Sequence, residues 1–202
     1  GSIWIDTTNI SGSGILQANG GTGRSDGAGG RIAVYYQTNV TGNEFNIDPD
    51  HIYARGHSGG PGTVYVEHVG VHTPQEGDLY VDNNGSNGAN GMDFPAQDWV
   101  FEDIFIGNNV TVDFFGDTTA ERGVIFNLAG NFTLESGALM DDNTGFTAEN
   151  GPGAGGTGSG SSGGGGAGYG GAGQPGTSDG TNPGGTSGLP YGAEQIANQL
   201  GS

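Results

Sequence analysis

The sequence predicts an all-β chain that winds as a parallel β-solenoid, and three observations point there. The strand-like runs are short and alternate apolar with polar residues, as in Ile104-Phe105-Ile106 and Val110-Thr111-Val112, with the corner Gly107-Asn108-Asn109 between them. β-Branched and aromatic residues suit a pleated strand, whereas Gly and Asn accept the left-handed backbone of a sharp corner. The layout then returns. Asn131 to Leu139 repeats strand, corner and strand with Ser136-Gly137 at the corner, and Leu134 to Asn143 aligns with Ile10 to Asn19. Single corners in place of two-residue hairpins describe a chain that winds, each coil covering the apolar inside of the one before. Composition is the third observation: with 46 glycines in 202 residues and a hydrophobic fraction of 32%, side chains for a broad core are scarce. An ordinary β-sandwich would struggle to fill its middle, while a solenoid needs a core only about one side chain deep on each face.

Taken in order, Ile3-Trp4-Ile5 opens a strand, the first rung follows from Ile10, and a glycine-rich turn occupies Gly20 to Gly30. The chain returns through Arg31-Ile32-Ala33-Val34-Tyr35-Tyr36. Further strands are expected at Phe45-Asn46-Ile47, His51 to Ala54, Thr63 to Glu67 and Leu79-Tyr80-Val81, before an Asn/Gly-rich loop from Asp82 to Gly91. The stretch from Trp99 to Met140 carries the two clearest corners, and regular strands are expected to stop past Met140. Half of residues 151–188 are glycine, and the only segment of helical composition is AEQIANQL, Ala193 to Leu200. The organisation read from this is a solenoid over residues 1–150 and a glycine-rich extension over residues 151–202, packed on the solenoid or on neighbouring subunits. Polyglycine has no side chains to bury, so its backbone groups must find partners. Strands of polyglycine-II type bonded side by side would supply them, and so would packing along the solenoid wall.

Charge removes whole classes of function. Four basic residues against 22 acidic ones leave a net charge of −18, and all four are arginines (Arg24, Arg31, Arg55, Arg122). Nucleic acid binding is excluded because phosphates need a basic face. An acidic surface favours solubility, salt tolerance and cation binding. Without lysine there are no Lys–Asn cross-links, and without cysteine there are no disulfides or thiolate metal sites. No apolar run approaches the ~18 residues of a membrane span, and no signal peptide is visible. Asn-x-Ser/Thr sequons at Asn9, Asn39, Asn84, Asn109 and Asn131 are what so Asn- and Thr-rich a chain produces by chance.

Several segments together resemble a family. GSIWI, SGILQANGGTG and GAGGRIAVYY, then GGPGTVYVE and GDLYVDNNG, then GNFTLESGALM, GPGAGG, GGGGAGYGGAG and LPYGAEQIANQLGS keep the segment order of glycine-rich β-helix repeats in very large secreted bacterial and archaeal surface proteins. The resemblance implies a right-handed parallel β-helix in an extracellular, adhesin-like or matrix protein at the cell surface. It brings no catalytic residues with it. His57 departs from the pattern, standing where glycine is more usual.

Few motifs carry chemistry. Gly56-His57-Ser58-Gly59-Gly60 matches the nucleophile elbow letter for letter, but a strand follows it at Val64 where that chemistry needs a helix. G-x-G-x-x-G matches recur in 151–188 without a strand–turn–helix unit around them, so they carry no nucleotide site. Oxygen ligands at alternate positions, Asp82, Asn84 and Ser86, with Asp93 to close the set, have the layout of a calcium loop; Asx turns bonded to their own backbone are the plainer account. Asp141-Asp142-Asn143 and Asp48-Pro49-Asp50 are lesser candidates, and the histidines His51, His57, His68 and His72 have no ligand spacing. Asp98, Glu102, Asp103 and Asp113, with Arg122, could form the carboxylate cluster of a polysaccharide-cleaving β-helix.

The function expected is structural: no catalytic residues, no cofactor unless calcium, and copies of the chain itself as partners, stacked head to tail. Ile3, Trp4 and Ile5 at one end and Tyr169 and Leu200 at the other are the expected assembly residues. The alternative is a polysaccharide-binding or polysaccharide-cleaving β-helix that meets surface glycans through Trp4, Trp99, Tyr35 or Tyr53.

Overall fold

The computed structural model describes residues 1–23, 27–57, 59–71, 76–85, 91–116, 123–144, 153–166, 168 and 172–190. The chain divides into two compact units, one of Gly1–Asp93, Trp99–Asp113 and Phe126–Asp141, the other of Phe94–Asp98, Phe114–Ile125 and Asp142–Ser202. The segment Ala193 to Leu200, Arg122, His72, Ser58 and the residues Ser86, Tyr169 and Leu200 lie outside the described residues.

Every described element is a strand. They are β1 Ser2–Ile10, β2 Leu16–Gln17, β3 Arg31–Asn39, β4 Ile52–Tyr53, β5 Thr63–His68, β6 Asp78–Val81, β7 Met92–Pro95, β8 Asp98–Phe101, β9 Ile104–Ile106, β10 Thr111–Phe115, β11 Ile125–Leu128, β12 Phe132–Leu134 and β13 Leu139–Thr144. Six of them form one sheet in the order β1-β3-β5-β6-β9-β12; β13-β10-β7, β11-β8 and β2-β4 make smaller sheets. The architecture is a β-solenoid of about 4 turns. β1, β3 and β5 run parallel, as do β6, β9 and β12.

The corners repeat with the coils. Each of the six sheet strands is followed, two or three positions past its end, by a residue with positive φ: Gly12, Gly42, Gly70, Asn84, Asn109 and Gly137. Two of these are stacked. Asn109 (φ 58°) donates its backbone N–H to Ser136 O at 3.3 Å and its Nδ2 to Gly85 O at 3.2 Å, so one corner bonds to the coil on either side. Gly137 (φ 77°) lies directly against it, and a Cβ there would overlap Asn109 Oδ1.

One feature departs from a simple winding chain. β5 and β6 pair antiparallel, with Val64 opposite Tyr80, Tyr65 opposite Leu79 and Val66 opposite Asp78. Side chains alternate between faces along a strand, so the reversal has a consequence for the core. Ile32, Val34, Val64 and Val66 are buried on one face, with Ile3, Ile5 and Tyr80 packed against that cluster. Leu79, Val81, Ile104 and Ile106 are buried on the opposite face. The sheet therefore carries one core on one face for its first three strands and a second core on the other face for its last three.

Three expectations are corrected. Phe45-Asn46-Ile47 is not a strand: Asn39 Nδ2 donates to Phe45 O at 2.9 Å and Phe45 N–H donates to Asn39 Oδ1 at 2.7 Å, which takes both bonds that a neighbouring strand would supply. Strand structure continues past Met140, to Thr144 in β13. The first corner falls at Gly12, one position before its alignment with Gly137 places it.

In the second unit the described glycine-rich residues form four extended segments, 153–159, 162–166 with Gly168, 173–179 and 182–188, joined mainly through the backbone. Gly165 N–H donates to Gly156 O and Gly168 N–H to Gly153 O; Gly163 donates to Thr177 O and Gly166 to Gln174 O. Gly176 donates to Gly185 O and Gly173 to Gly188 O, while Gly185 and Gly188 donate to Gly163 O and Gly166 O. Donors facing one neighbour recur every third residue, the period of a three-residue extended helix. The segment of 162–166 with Gly168 bonds three neighbours, which a sheet, with two sides, does not allow. This is the polyglycine-II-type arrangement. A Cβ at Gly165 would run into Thr186 O, and at Gly176 into Gly163 O. The 159–162 end is tied to the 178–183 end by Asp179, whose carboxylate accepts the N–H groups of Thr181 and Asn182 (2.9 and 2.7 Å) and that of Ser161 (3.3 Å). These bonds, with that from Asn182 Nδ2 leading, hold the Asp179 carboxyl down at about 2.

Candidate assembly edges

Among the described residues the sheet has no strand beyond β1 or β12, which end its strand order. β1 is nine residues long and alternates from Ser2 to Thr8. Ile3 and Ile5 turn toward the first core, opposite Ile32 and Val34 of β3. Trp4 turns the other way and is 70% exposed. Its indole lies on the Tyr35 ring with centroids 4.8 Å apart. At the other side β12 is exposed along its whole length, Phe132 at 41% and Leu134 at 46%.

A row of rings connects the two edges on a single face. From Tyr35 it passes to Tyr65 (5.7 Å), Phe101 (6.3 Å), Phe126 (6.5 Å) and Phe132 (6.5 Å), with Trp99 stacked on Phe101 at 6.0 Å. Separations of 4.5–7 Å are the range in which ring pairs attract beyond their buried area. Glu67 is buried in this row and accepts the Tyr65 hydroxyl at 2.9 Å. Burial first, then the Glu67 bond, pushes the Tyr65 phenol well above its usual range; burial and the charges of Glu67 and Asp6 raise Tyr35 in the same direction.

The predicted site residues are placed as follows. Ile3, Trp4 and Ile5 are on the β1 edge. Of the loop set, Asp82 is held by Arg55: Nε and Nη2 both stand 2.8 Å from Asp82 Oδ2, and Asn84 N–H donates to Oδ1 at 3.1 Å. A guanidinium on the carboxylate opposes a cation at the same oxygens. Asp82 and Asn84 line one groove, with Phe105 and Glu135, whereas Asp93 lines a separate one beside Gly1 and Arg31. Among the described residues no group of three or more His, Asp and Glu side chains is arranged to hold a metal. Sequence reasoning missed Arg55, which is also bonded to Pro49 O (2.7 Å) and lies 4.2 Å over the Tyr53 ring. Its partner is 27 residues away, and nothing in the linear pattern joins them.

The carboxylates regroup as well. Glu102 and Asp103 line a small pocket with Asp78, Glu76, Tyr36 and His68. Asp78 Oδ1 accepts Asp103 N–H at 3.2 Å and Oδ2 accepts the Tyr80 hydroxyl at 3.3 Å. Burial, then the charges of Asp103 and Glu102, raises the Asp78 carboxyl above its ordinary range. This pocket is on the side of the sheet that carries Tyr80, and the aromatic row from Trp4 to Phe132 is on the other. His57 is exposed. No family model, curated protein or solved structure matches this chain.

Proposed function

We propose that this chain is a structural module of an extracellular filament, matrix or adhesin stalk, built by head-to-tail stacking of copies, and that it performs no catalysis. The observation that carries the reading is the pair of open sheet edges, each with exposed apolar side chains, Trp4 on one and Phe132 and Leu134 on the other. An unpaired strand edge presents a row of backbone groups that pairs with another chain. The joining of unlike edges does not close on itself and generates an open fibre. The charge of −18 supports a place in a solvated surface layer, since it keeps such a fibre soluble. The resemblance of its segments to glycine-rich surface repeats supports the extracellular setting. Negative-stain microscopy and sedimentation of the purified chain over a range of concentrations test this. Filaments that lengthen with concentration support it, and a chain that stays monomeric at high concentration overturns it.

A second reading, a glycan-binding face, is favoured by the Trp4–Tyr35 ring pair beside Asp6, since exposed rings are platforms for sugars. Retention on a polysaccharide matrix that Trp4→Ala abolishes would support it; retention that survives the change would remove it.

A further inference from the structure

We propose that copies join through one defined seam: β12 of one copy lies antiparallel beside β1 of the next, with Trp4 of the next copy packed on Phe132 or Leu134. The inference rests on the assembly reading above and names its joint.

The register across the sheet carries the argument. Trp4 pairs with Ala33, Ala33 with Tyr65, Tyr65 with Leu79, Leu79 with Ile104, and Ile104 with Phe132. Paired residues point to the same face, so the exposed rings at the two edges share a face although they belong to opposite ends of the sheet. In a wholly parallel sheet the outward-turned Trp4 would face away from the inward-turned residues of the last strand. The reversal between β5 and β6 is what brings them to one side.

Direction agrees with this. β1 runs antiparallel to β12 because exactly one antiparallel pairing separates them. A copy added head to tail without being turned over therefore offers β1 antiparallel to β12. That is the relation β5 and β6 already have within the chain, where Tyr65 on one strand lies opposite Leu79 on the other. An aromatic–aliphatic pair of the same kind forms when Trp4 meets Phe132 or Leu134. The row of rings from Trp4 to Phe132 then continues into the next copy without a break.

The edges also lack what usually prevents such pairing. Soluble proteins protect edge strands with lysine, proline or inward-pointing charge. β12 is Phe-Thr-Leu with no charge, and β1 carries one acid, Asp6, in nine residues of a chain with 22. A second copy fits both edges at once, which a partner complementary to only one of them does not.

Because the chain has no cysteine, introduced pairs report the seam directly. Within one copy positions 4 and 132 are five strand spacings apart, ~24 Å at ~4.8 Å each, beyond the ~7 Å that a disulfide spans. Any disulfide between them is intermolecular. The double variants Trp4→Cys with Phe132→Cys, and Trp4→Cys with Leu134→Cys, are oxidised under conditions where the wild-type chain assembles. At least one should give a ladder of multimers that dithiothreitol collapses. Trp4→Cys with Thr133→Cys, whose second position faces the other side, should give none. In a parallel measurement Trp4→Asp and Leu134→Asp, both at exposed positions, should each raise the concentration needed for assembly about tenfold or more. If the wild-type chain forms filaments but no ladder exceeds the Thr133 control and both aspartate variants assemble normally, this seam is wrong and the assembly reading stands. A wild-type chain that remains monomeric overturns both. Trp4→Cys alone, which can give nothing larger than a dimer, forming that dimer as completely as the double variants cross-link shows β1 paired with itself, which overturns the head-to-tail seam.

Discussion

Replacing Gly137 by valine tests whether stacked corners hold the coils together. Two costs follow from the geometry. The backbone has φ 77° there, a region that a β-branched residue enters at ~1–3 kcal/mol. A Cβ would also overlap Asn109 Oδ1, so that side chain must turn and release its 3.2 Å bond to Gly85 O. Losing a hydrogen bond of this kind costs ~0.5–1.5 kcal/mol. Together the change should destabilise the solenoid unit by about 2–4 kcal/mol, read as a lower urea midpoint with an unchanged slope. Combining it with Asn109→Gly separates the two costs. Glycine tolerates the φ of 58° at 109 and removes the overlap, so the valine should then cost only its backbone strain, ~1–3 kcal/mol. If Gly137→Val alone stays within ~0.5 kcal/mol of the parent, the corners do not carry the stability argued for them. If the valine still costs the full sum when it is added to Asn109→Gly, the overlap with Asn109 is not part of the cost.

Arg55→Ala should lower stability by ~1–3 kcal/mol, since it strands a largely buried Asp82 carboxylate while some solvent still reaches the pair. Arg55→Lys should recover little of this because an ammonium cannot reproduce the guanidinium's contacts with Asp82 and Pro49. Chelator should leave the wild-type melting temperature unchanged while Arg55 holds Asp82, and a clear fall on adding EDTA would restore the case for calcium at Asp82, Asn84, Ser86 and Asp93. Asp179 should titrate near 2 in a carboxyl-carbon NMR experiment. With its folded value below the unfolded one of ~3.9, its contribution is present above pH ~4 and is lost as pH falls through about 2; a midpoint near 4 would refute the hydrogen-bonded turn. Gly165→Val puts a side chain where Thr186 O lies, so hydrogen exchange across 153–188 should accelerate, and unchanged protection there would count against the glycine bundle.

The parts of this fold that were legible in the sequence are those that need a particular residue. Gly137 and Asn109 stand at left-handed corners, and only Gly and Asn are routinely tolerated there, so the corners show in the letters. Alternation in Ile3-Trp4-Ile5 and Val64-Tyr65-Val66 shows which residues share a face, and the structure keeps those assignments. The reversal at β5–β6 was not legible because a period of two reads the same in either direction. Nothing in Asp78-Leu79-Tyr80-Val81 says which way the strand runs. The glycine segments gave a related difficulty: their order lies in which backbone N–H meets which carbonyl, and residues without side chains leave no pattern of it. Of the candidate site, the β1 edge was visible from the apolar strand at Ser2-Ile3-Trp4-Ile5. Its counterpart was not, because Phe132-Thr133-Leu134 reads as an ordinary buried rung until the strand order places it last.

The reversal also accounts for an otherwise odd placement of side chains. In a solenoid that winds one way, outward positions meet water and have no reason to be aromatic. Here Trp4, Tyr35 and Tyr65 all point away from the core that their own strands enclose, and yet Tyr65 is only partly exposed. Past the reversal the face they occupy becomes the inside, where Leu79, Ile104 and the Phe101–Phe126 pair are found. Outward rings on the first strands are thus the leading edge of the second core. By the same reasoning Trp4 is an inside residue that lacks its inside within one copy, and Phe132 and Leu134 are inside residues exposed by the end of the sheet. A polar residue would serve at each of these positions in a monomer, so their apolar character is what the proposed seam between copies would account for.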